Sequence, residues 1–273
     1  MTTTHEPSPV VEAVGKVAVV SKTKQFLRAR FDPDARYGLR LTFFVMAFLI
    51  VAVPFGLIFR QVVTDGPLTD FDTRASVRFY KLSEPVWSNH VLEVISFVGK
   101  PIFLSAVVIV PTLWLLRKHE TRIAIFLVAT VISGALVDTA LKAAIGRPRP
   151  TVSGGPPQAF GNSFPSGHSM ASLITYGAFM LVVLPYLPKW SRRPAIAFAT
   201  LLVLAIGFSR LALGMHFLSD VIAGFLFGIA WLLVAVAGFN VWRRDRREPQ
   251  VHVDAEGVEP EQPEARAVAD AVA

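Results

Sequence analysis

Six stretches of the chain are almost wholly apolar over the roughly 20 residues that a helix needs to cross about 30 Å of hydrocarbon. They run from Leu41 to Phe59, Val94 to Leu116, Ile123 to Leu141, Ser169 to Leu187, Pro194 to Leu213 and Leu218 to Val241. Each is expected to be a transmembrane helix. The second is interrupted, since its unbroken apolar part starts only after Lys100 and contains Pro111. This span is therefore read as beginning earlier, with the lysine reaching for an interface. Pro54 and Pro111 are kinks that a membrane helix tolerates. Between the first two spans, Asp70 to Ser96 mixes charge with Phe71, Phe79, Tyr80, Val86 and Trp87. That mixture predicts a helix lying in the interface, the alternative being a soluble connecting loop with a few buried aromatics.

The flanks differ in kind. Residues 1–40 are polar and carry seven Lys or Arg, too many charges for a cleavable signal peptide, so they read as a cytoplasmic tail ahead of a retained anchor. Residues 243–273 form a second cytoplasmic tail, and from Val251 onward they lack aromatic residues and apolar periodicity, which predicts disorder. The expected architecture is all-α: one six-helix membrane domain over residues 41–242, with no internal repeat and no second soluble domain.

Composition agrees with a bilayer, at 53% hydrophobic and 17% charged residues, where soluble domains carry about 25% charged. The absence of cysteine excludes disulfides, thiolate nucleophiles and zinc–cysteine sites. A net charge of +7 could signal nucleic acid, anionic lipid or membrane orientation, and position decides. If all six segments cross, eighteen of the 27 Lys and Arg fall on the side of the N-terminal tail, including those of "RKHETR", "PKWSRRP" and "WRRDRREP". Both termini are then cytoplasmic, and the high pI requires no nucleic acid. Of the nine remaining cations, five lie between the first two spans beside five acidic residues. The other four are Lys142, Arg147, Arg149 and Arg210.

Three polar groups meet on the non-cytoplasmic side by parity: "DTALKAAIGRPRP" after the third span, "PSGHS" at the head of the fourth, and "FSRLALGMHFLSD" between the fifth and sixth. Ionisable residues at such a boundary are costly and commonly mark a site. Lys142, Arg149 and Arg210 supply cations suited to phosphate oxygens. Ser166 and Gly167 lie where a helix N-terminus offers unsatisfied N–H groups to an anion. His216 and Asp220, four residues apart, share a helical face, so the carboxylate can hold one imidazole nitrogen and leave the other free to attack. His168 is left as proton donor to the leaving oxygen.

This set resembles the type 2 phosphatidic acid phosphatase (PAP2) superfamily of membrane lipid phosphatases, which shares its site with the vanadium haloperoxidases. The family's three-part signature is met at Lys142, Arg149 and Pro150; at Pro165, Ser166, Gly167 and His168; and at Ser209, Arg210, His216 and Asp220. The resemblance spans about Ile123 to Val241. It implies that His216 is a nucleophile forming a phosphohistidine, that Asp220 orients it and that His168 is the general acid. Lys142, Arg149, Ser166, Gly167 and Arg210 are implied to bind the phosphate, with no metal or cofactor. The implied partners are a lipid phosphate and the bilayer, with no nucleic acid; no oligomeric state follows.

Plainer readings stand beside these. "PSGH" alone is an ordinary helix cap, and His216 with Asp220 is a possible structural pair. Arg147 lies outside the signature, and "GRPRP" reads as a rigid basic turn anchoring the chain at the interface. Asp138, one turn before Lys142, is expected to pair with it. The loop from Thr151 to Ser163, with Phe160, is read as a cover over the site. The expected activity is hydrolysis of a lipid phosphate or diphosphate on the extracytoplasmic face of a bacterial cytoplasmic membrane, acting on a polyprenyl diphosphate such as the undecaprenyl carrier, or on phosphatidic acid and its relatives. Phosphotransfer to another lipid would use the same residues. A non-catalytic scaffold or transporter is opposed by the completeness of the triad, and a haloperoxidase by the six apolar spans.

Overall fold

The computed structural model of the chain describes residues 39–83, 85–151 and 161–245. The expected tails and the middle of the 151–163 loop, residues 152–160, lie outside the described residues. The chain divides into two compact units, Met1–Ala237 and Gly238–Ala273, and the apolar clusters and buried polar residues belong to the first. Among the described residues the elements are all helical: α1 (Leu39–Val63), α2 (Pro67–Tyr80), α3 (Val86–Phe97), α4 (Pro101–Arg117), α5 (Thr121–Ile145), α6 (Gly167–Val183), α7 (Lys189–Ala212) and α8 (Leu218–Asp245). Short 3₁₀ turns follow α2 at Lys81–Ser83 and α6 at Leu184–Tyr186.

Five of the helices are long and apolar enough to cross a membrane, and α3 with α4, bent by 41°, makes a sixth if the pair is one span. The all-α polytopic architecture is as the apolar pattern predicts. The second span differs in being two helices. Its break falls at Val98, Gly99 and Lys100, where Pro101, with no N–H to donate to an earlier carbonyl, takes the first position of a new helix and Lys100 is extended ahead of it. A broken helix in hydrocarbon leaves backbone groups to satisfy, and the Tyr176 hydroxyl donates to the Val98 carbonyl at 2.9 Å. The bend also meets the site, since a Cβ on Gly99 would lie 3.2 Å from the His168 ring.

The segment expected as one interfacial helix is likewise two, α2 and α3, joined by the 3₁₀ turn. In α2, Phe71 and Val77 are exposed while Asp72 and Ser76 are buried. The outward face thus suits an interface, and the inward face carries a carboxylate into the protein.

Packing follows the logic of a bilayer, where apolar side chains on the perimeter lose nothing by facing lipid. Phe198, Leu201, Leu136 and Val110 are each about two-thirds exposed. One apolar cluster, Leu115, Ala124, Leu127, Ala178 and Val182, joins α4, α5 and α6 towards the basic loops. A second, Leu104, Tyr176, Val203 and Ile206, joins α4, α6 and α7. At the opposite end the buried residues become polar: Asp72, Arg147, Ser163, Arg210, His216, Ser219 and Asp220 are all nearly or fully enclosed.

Candidate active site

Backbone devices deliver the three polar groups to one place. Helix α5 stops at Gly146, whose left-handed conformation (φ +65°) turns the chain while its N–H bonds the Lys142 carbonyl. The returning segment is clipped to this turn, with Ser163 N–H donating to the Arg147 carbonyl at 2.8 Å and Asn162 Nδ2 to that of Lys142 at 2.6 Å. Ser166 then caps α6, and its own N–H donates to the Asp220 carbonyl at 3.0 Å. At Gly224 a Cβ would lie only 2.8 Å from the Ser166 carbonyl, so glycine lets the heads of α6 and α8 meet. Asp220 accepts from the Phe217 N–H at 2.9 Å in the first turn of α8, which brings His216 alongside its carboxylate.

The two nitrogens of His216 face different surroundings. Nδ1 lies 3.5 Å from Asp220 Oδ2 and 3.5 Å from Ser163 Oγ, whereas Nε2 lies 3.3 Å from Arg149 Nη1. Burial lowers the pKa of this imidazole to about 4, with Asp220 pulling it up and Arg149 and Arg210 pushing it further down. The ring is therefore neutral at neutral pH. Bonding to Asp220 requires the proton on Nδ1, which leaves the Nε2 lone pair directed towards the cations. Arg149 is fixed by the carbonyls of Met215 (2.8 Å) and Gly161 (3.1 Å). Burial draws its pKa below the usual guanidinium value, Asp220 opposes the shift, and the group remains a cation.

On the other side of the site, Lys142 Nζ pairs with Asp138 Oδ2 at 2.5 Å, the pairing that their spacing predicts. The two abut the head of α6, where a Cβ on Gly167 would lie 2.3 Å from Lys142 Nζ and 2.9 Å from Asp138 Oδ2. Arg210 donates through Nη1 to Ser96 Oγ at 2.6 Å. His168 is within electrostatic reach of Arg210, His216 and Lys142. Among the described residues, His168 Nε2, Arg210 Nε and Asp138 Oδ1 are buried without a hydrogen-bond partner. From Lys142 and His168 a largely apolar cavity of about 710 Å³ runs between α4, α5 and α6 as far as Leu113 and Val128. The arrangement offers a neutral, oriented nucleophile beside a group of cations, with an apolar hollow leading away.

A family model described as PAP2 superfamily matches residues 122–244. Phosphatidylglycerophosphatase B of Bacillus subtilis is 27% identical over 190 residues, which cover 68% of this chain and 91% of that protein. A lipid A 1-phosphatase of Rhizobium etli is 34% identical over 130 residues, 44% of this chain and 51% of that enzyme, so the match spans about half its length. Over residues 122–244 the chain is similar to the PAP2 superfamily. The crystal structure of a transmembrane PAP2-type phosphatidylglycerolphosphate phosphatase from Bacillus subtilis shares the fold, with a TM-score of 0.65 at 24% identity, covering 71% of this chain and 96% of that one. With its apolar helices, the chain is similar to integral-membrane phosphatases of that superfamily.

All eight candidate catalytic and phosphate-binding residues lie in this region: Lys142 and Arg149 at the end of α5 and beyond it, Ser166, Gly167 and His168 at the head of α6, Arg210 in the last turn of α7, and His216 with Asp220 at the head of α8. The Ser166 hydroxyl accepts from Ser169 as the helix cap and is fully buried, so the plainer reading of "PSGH" as a cap holds as well. Arg147 is a correction. It is not an interface anchor but is enclosed, pairing with Asp220 Oδ1 at 2.5 Å and Asp72 Oδ2 at 2.9 Å and stacking on the Phe217 ring at 4.2 Å. The turn at Gly146 sends it inward. Asp72, Ser163, Ser219 and Ser96 were not foreseen. A lone carboxylate amid the apolar positions of an amphipathic helix was the available signal for Asp72.

Proposed function

We propose that this protein hydrolyses a lipid phosphate or diphosphate through a phosphohistidine on His216. The observation that carries the reading is the polarised environment of that imidazole: Nδ1 faces Asp220, and Nε2 faces Arg149. Nε2 attacks phosphorus, the bond from phosphorus to the lipid oxygen breaks, and His168 gives the departing oxygen a proton. Water then attacks the phosphoimidazole while His168 takes a proton from it, which releases inorganic phosphate and restores both rings. Asp220 stabilises the positive charge that His216 acquires. Lys142, Arg149 and Arg210 compensate the charge on the equatorial oxygens, as do the N–H groups at the head of α6 that Ser166 caps and Gly167 begins.

The 710 Å³ apolar cavity leading from Lys142 and His168 supports a lipid rather than a soluble phosphate ester as substrate. The names of the two relatives carry the same chemistry, a phosphate on a lipid head. Polyprenyl diphosphate and phosphatidic acid are the leading candidates. The excess of basic residues in the loops opposite supports a site on the extracytoplasmic face of a bacterial cytoplasmic membrane.

Detergent-purified protein assayed over phosphatidic acid, phosphatidylglycerol phosphate and polyprenyl diphosphates is expected to release phosphate, to stay active in EDTA and to be blocked by vanadate, which mimics the five-coordinate transition state. Acid-labile label retained on the protein after rapid quenching would report the phosphohistidine. Loss of activity in chelator, or turnover with no such label under single-turnover conditions, defeats the mechanism. For the face, an impermeant thiol reagent on intact cells should label Gly154→Cys and spare Ser191→Cys; the reverse pattern puts the site in the cytoplasm.

A further inference from the structure

We propose that Asp72 and Arg147 are positioning residues for the nucleophile: Arg147, neutralised by Asp72, fixes the Asp220 carboxylate and through it the orientation and basicity of His216. The inference rests on the reading of His216 as nucleophile and adds to the site a helix, α2, that lies outside the family's signature.

The geometry is a closed chain of contacts. Asp72 is fully buried. Its Oδ1 accepts the Ser219 N–H at 3.0 Å, and its Oδ2 accepts from the Ser219 hydroxyl and from Arg147 Nη2 at 2.9 Å. Arg147 Nη1 donates to Ser219 Oγ at 2.8 Å and to Asp220 Oδ1 at 2.5 Å. That leaves Asp220 Oδ2 to Ser163 Oγ, the Phe217 N–H and His216 Nδ1. One guanidinium therefore bridges two carboxylates with its planar fork, a task that an ammonium cannot perform with the same geometry.

Charge explains why both acids are needed. Arg147 beside Asp220 alone would cancel the carboxylate that must stabilise a positive imidazole, whereas Asp72, Arg147 and Asp220 together carry a net charge of −1. A buried guanidinium without Asp72 would also be an uncompensated ion on one flank. His216 faces Asp220 from α8, Arg149 from the turn after α5, Arg210 from α7 and His168 from α6, with Arg147 and Asp72 behind Asp220. The three cations and the triad thus set its basicity between them.

The test is the pH profile of kcat/KM for the full-length detergent-purified protein on a lipid phosphate that it hydrolyses, with KM and thermal unfolding measured alongside. The acid limb of the wild type reports protonation of His216 in the free enzyme and is expected well below the ordinary imidazole value of about 6.5. Arg147→Gln leaves two carboxylates near the ring with no cation between them, so imidazolium is favoured and the limb moves up by about one pH unit or more. Adding Asp72→Asn to that variant restores the net −1 and brings the limb back down. Arg147→Lys keeps the charge but loses the fork, and should lower kcat about tenfold with KM within about twofold and the limb in place. Unmoved limbs with only a fall in unfolding temperature make the network a structural brace and overturn the proposal. If Arg147→Gln does not fold, an unchanged kcat in Arg147→Lys overturns it equally. A phosphoenzyme that still forms in His216→Ala overturns the nucleophile assignment itself, a result recognisable without any Arg147 variant.

Discussion

The two halves of the site are finished to different degrees. Around His216 every polar group has a partner: Asp220 accepts from Arg147, Ser163 and the Phe217 N–H, and Arg149 is seated on two carbonyls. Around His168 the pairing is incomplete, with His168 Nε2, Arg210 Nε and Asp138 Oδ1 buried and unbonded. Polar groups enclosed near hydrocarbon are costly to leave unpaired. The paired half is preorganised, which suits a nucleophile and its orienter that must already be in place. The unpaired half keeps His168 Nε2 and the Arg210 Nε–H free for a group that arrives and departs, which suits a phosphate and its leaving oxygen.

The largest effect expected from breaking this contrast comes from exchanging one histidine for the other as the target. His216→Ala removes the nucleophile from the finished half, and turnover should fall about 10⁴-fold or more with no phosphoenzyme. His168→Ala removes only leaving-group protonation, typically worth 10²–10⁴-fold. It should still form the phosphoenzyme, and its deficit should shrink on an aryl phosphate whose phenolate leaves without help. Quenched-flow trapping with both substrates checks the pair. Equal deficits on the lipid and the aryl substrate would remove His168 from the role of acid.

How much of this contrast was readable beforehand depends on which side of it a residue serves. The unpaired half was legible because, on the proposed reading, its residues meet the phosphate, whose chemistry restricts them to cations, helix-head N–H groups and a proton donor at fixed spacing. The finished half was legible as far as Arg149 and, four residues apart at the head of α8, His216 and Asp220. Arg147 misled because a basic residue in a Gly-Pro turn at a membrane edge usually points outward, and only the left-handed Gly146 turns it in. Asp72 reaches Asp220 through a contact between residues 147 positions apart with Ser219, a separation that no local pattern encodes. The bend at Gly99 was half visible: Lys100 marked an interruption, but that the break would face His168 is a matter of packing. Five of the six apolar runs gave single helices with little ambiguity, since length against bilayer thickness leaves few alternatives, and the second gave the bent pair α3 and α4.

A smaller effect is expected where the unpaired half is narrowed. Gly167→Ala places a methyl 2.3 Å from Lys142 Nζ and 2.9 Å from Asp138 Oδ2. Gly167 begins α6 without a left-handed φ, so alanine there is compatible with the helix and the protein should keep its unfolding temperature. The lysine, being the flexible end of its side chain, must give way, and the displaced ammonium should weaken phosphate binding. KM is expected to rise about tenfold, the equivalent of roughly 1.4 kcal/mol, with kcat changed less. An unaltered KM would mean that Lys142 is not where the phosphate sits.

The smallest effect belongs to a single strand of the finished half, the Ser163 hydroxyl that donates to Asp220 Oδ2 and lies 3.5 Å from His216 Nδ1. Ser163→Ala removes one of the donors on that carboxylate and leaves Arg147 and the Phe217 N–H in place, so Asp220 stays ionised and oriented from two directions. A hydrogen bond to a charged group contributes about 1.5–3 kcal/mol when simply deleted, but here the loss falls on the orienter and reaches the reaction only through His216. With less competition for Oδ2, the carboxylate binds the Nδ1–H more strongly, which offsets part of the lost rigidity and raises the basicity of the imidazole slightly. The expected outcome is a fall in kcat of about three- to tenfold with KM unchanged, and an acid limb that moves up rather than down. A rise in KM with kcat intact would instead assign Ser163 to the phosphate, and the division between a finished half and a receiving half would have to be redrawn through the middle of the loop that carries it.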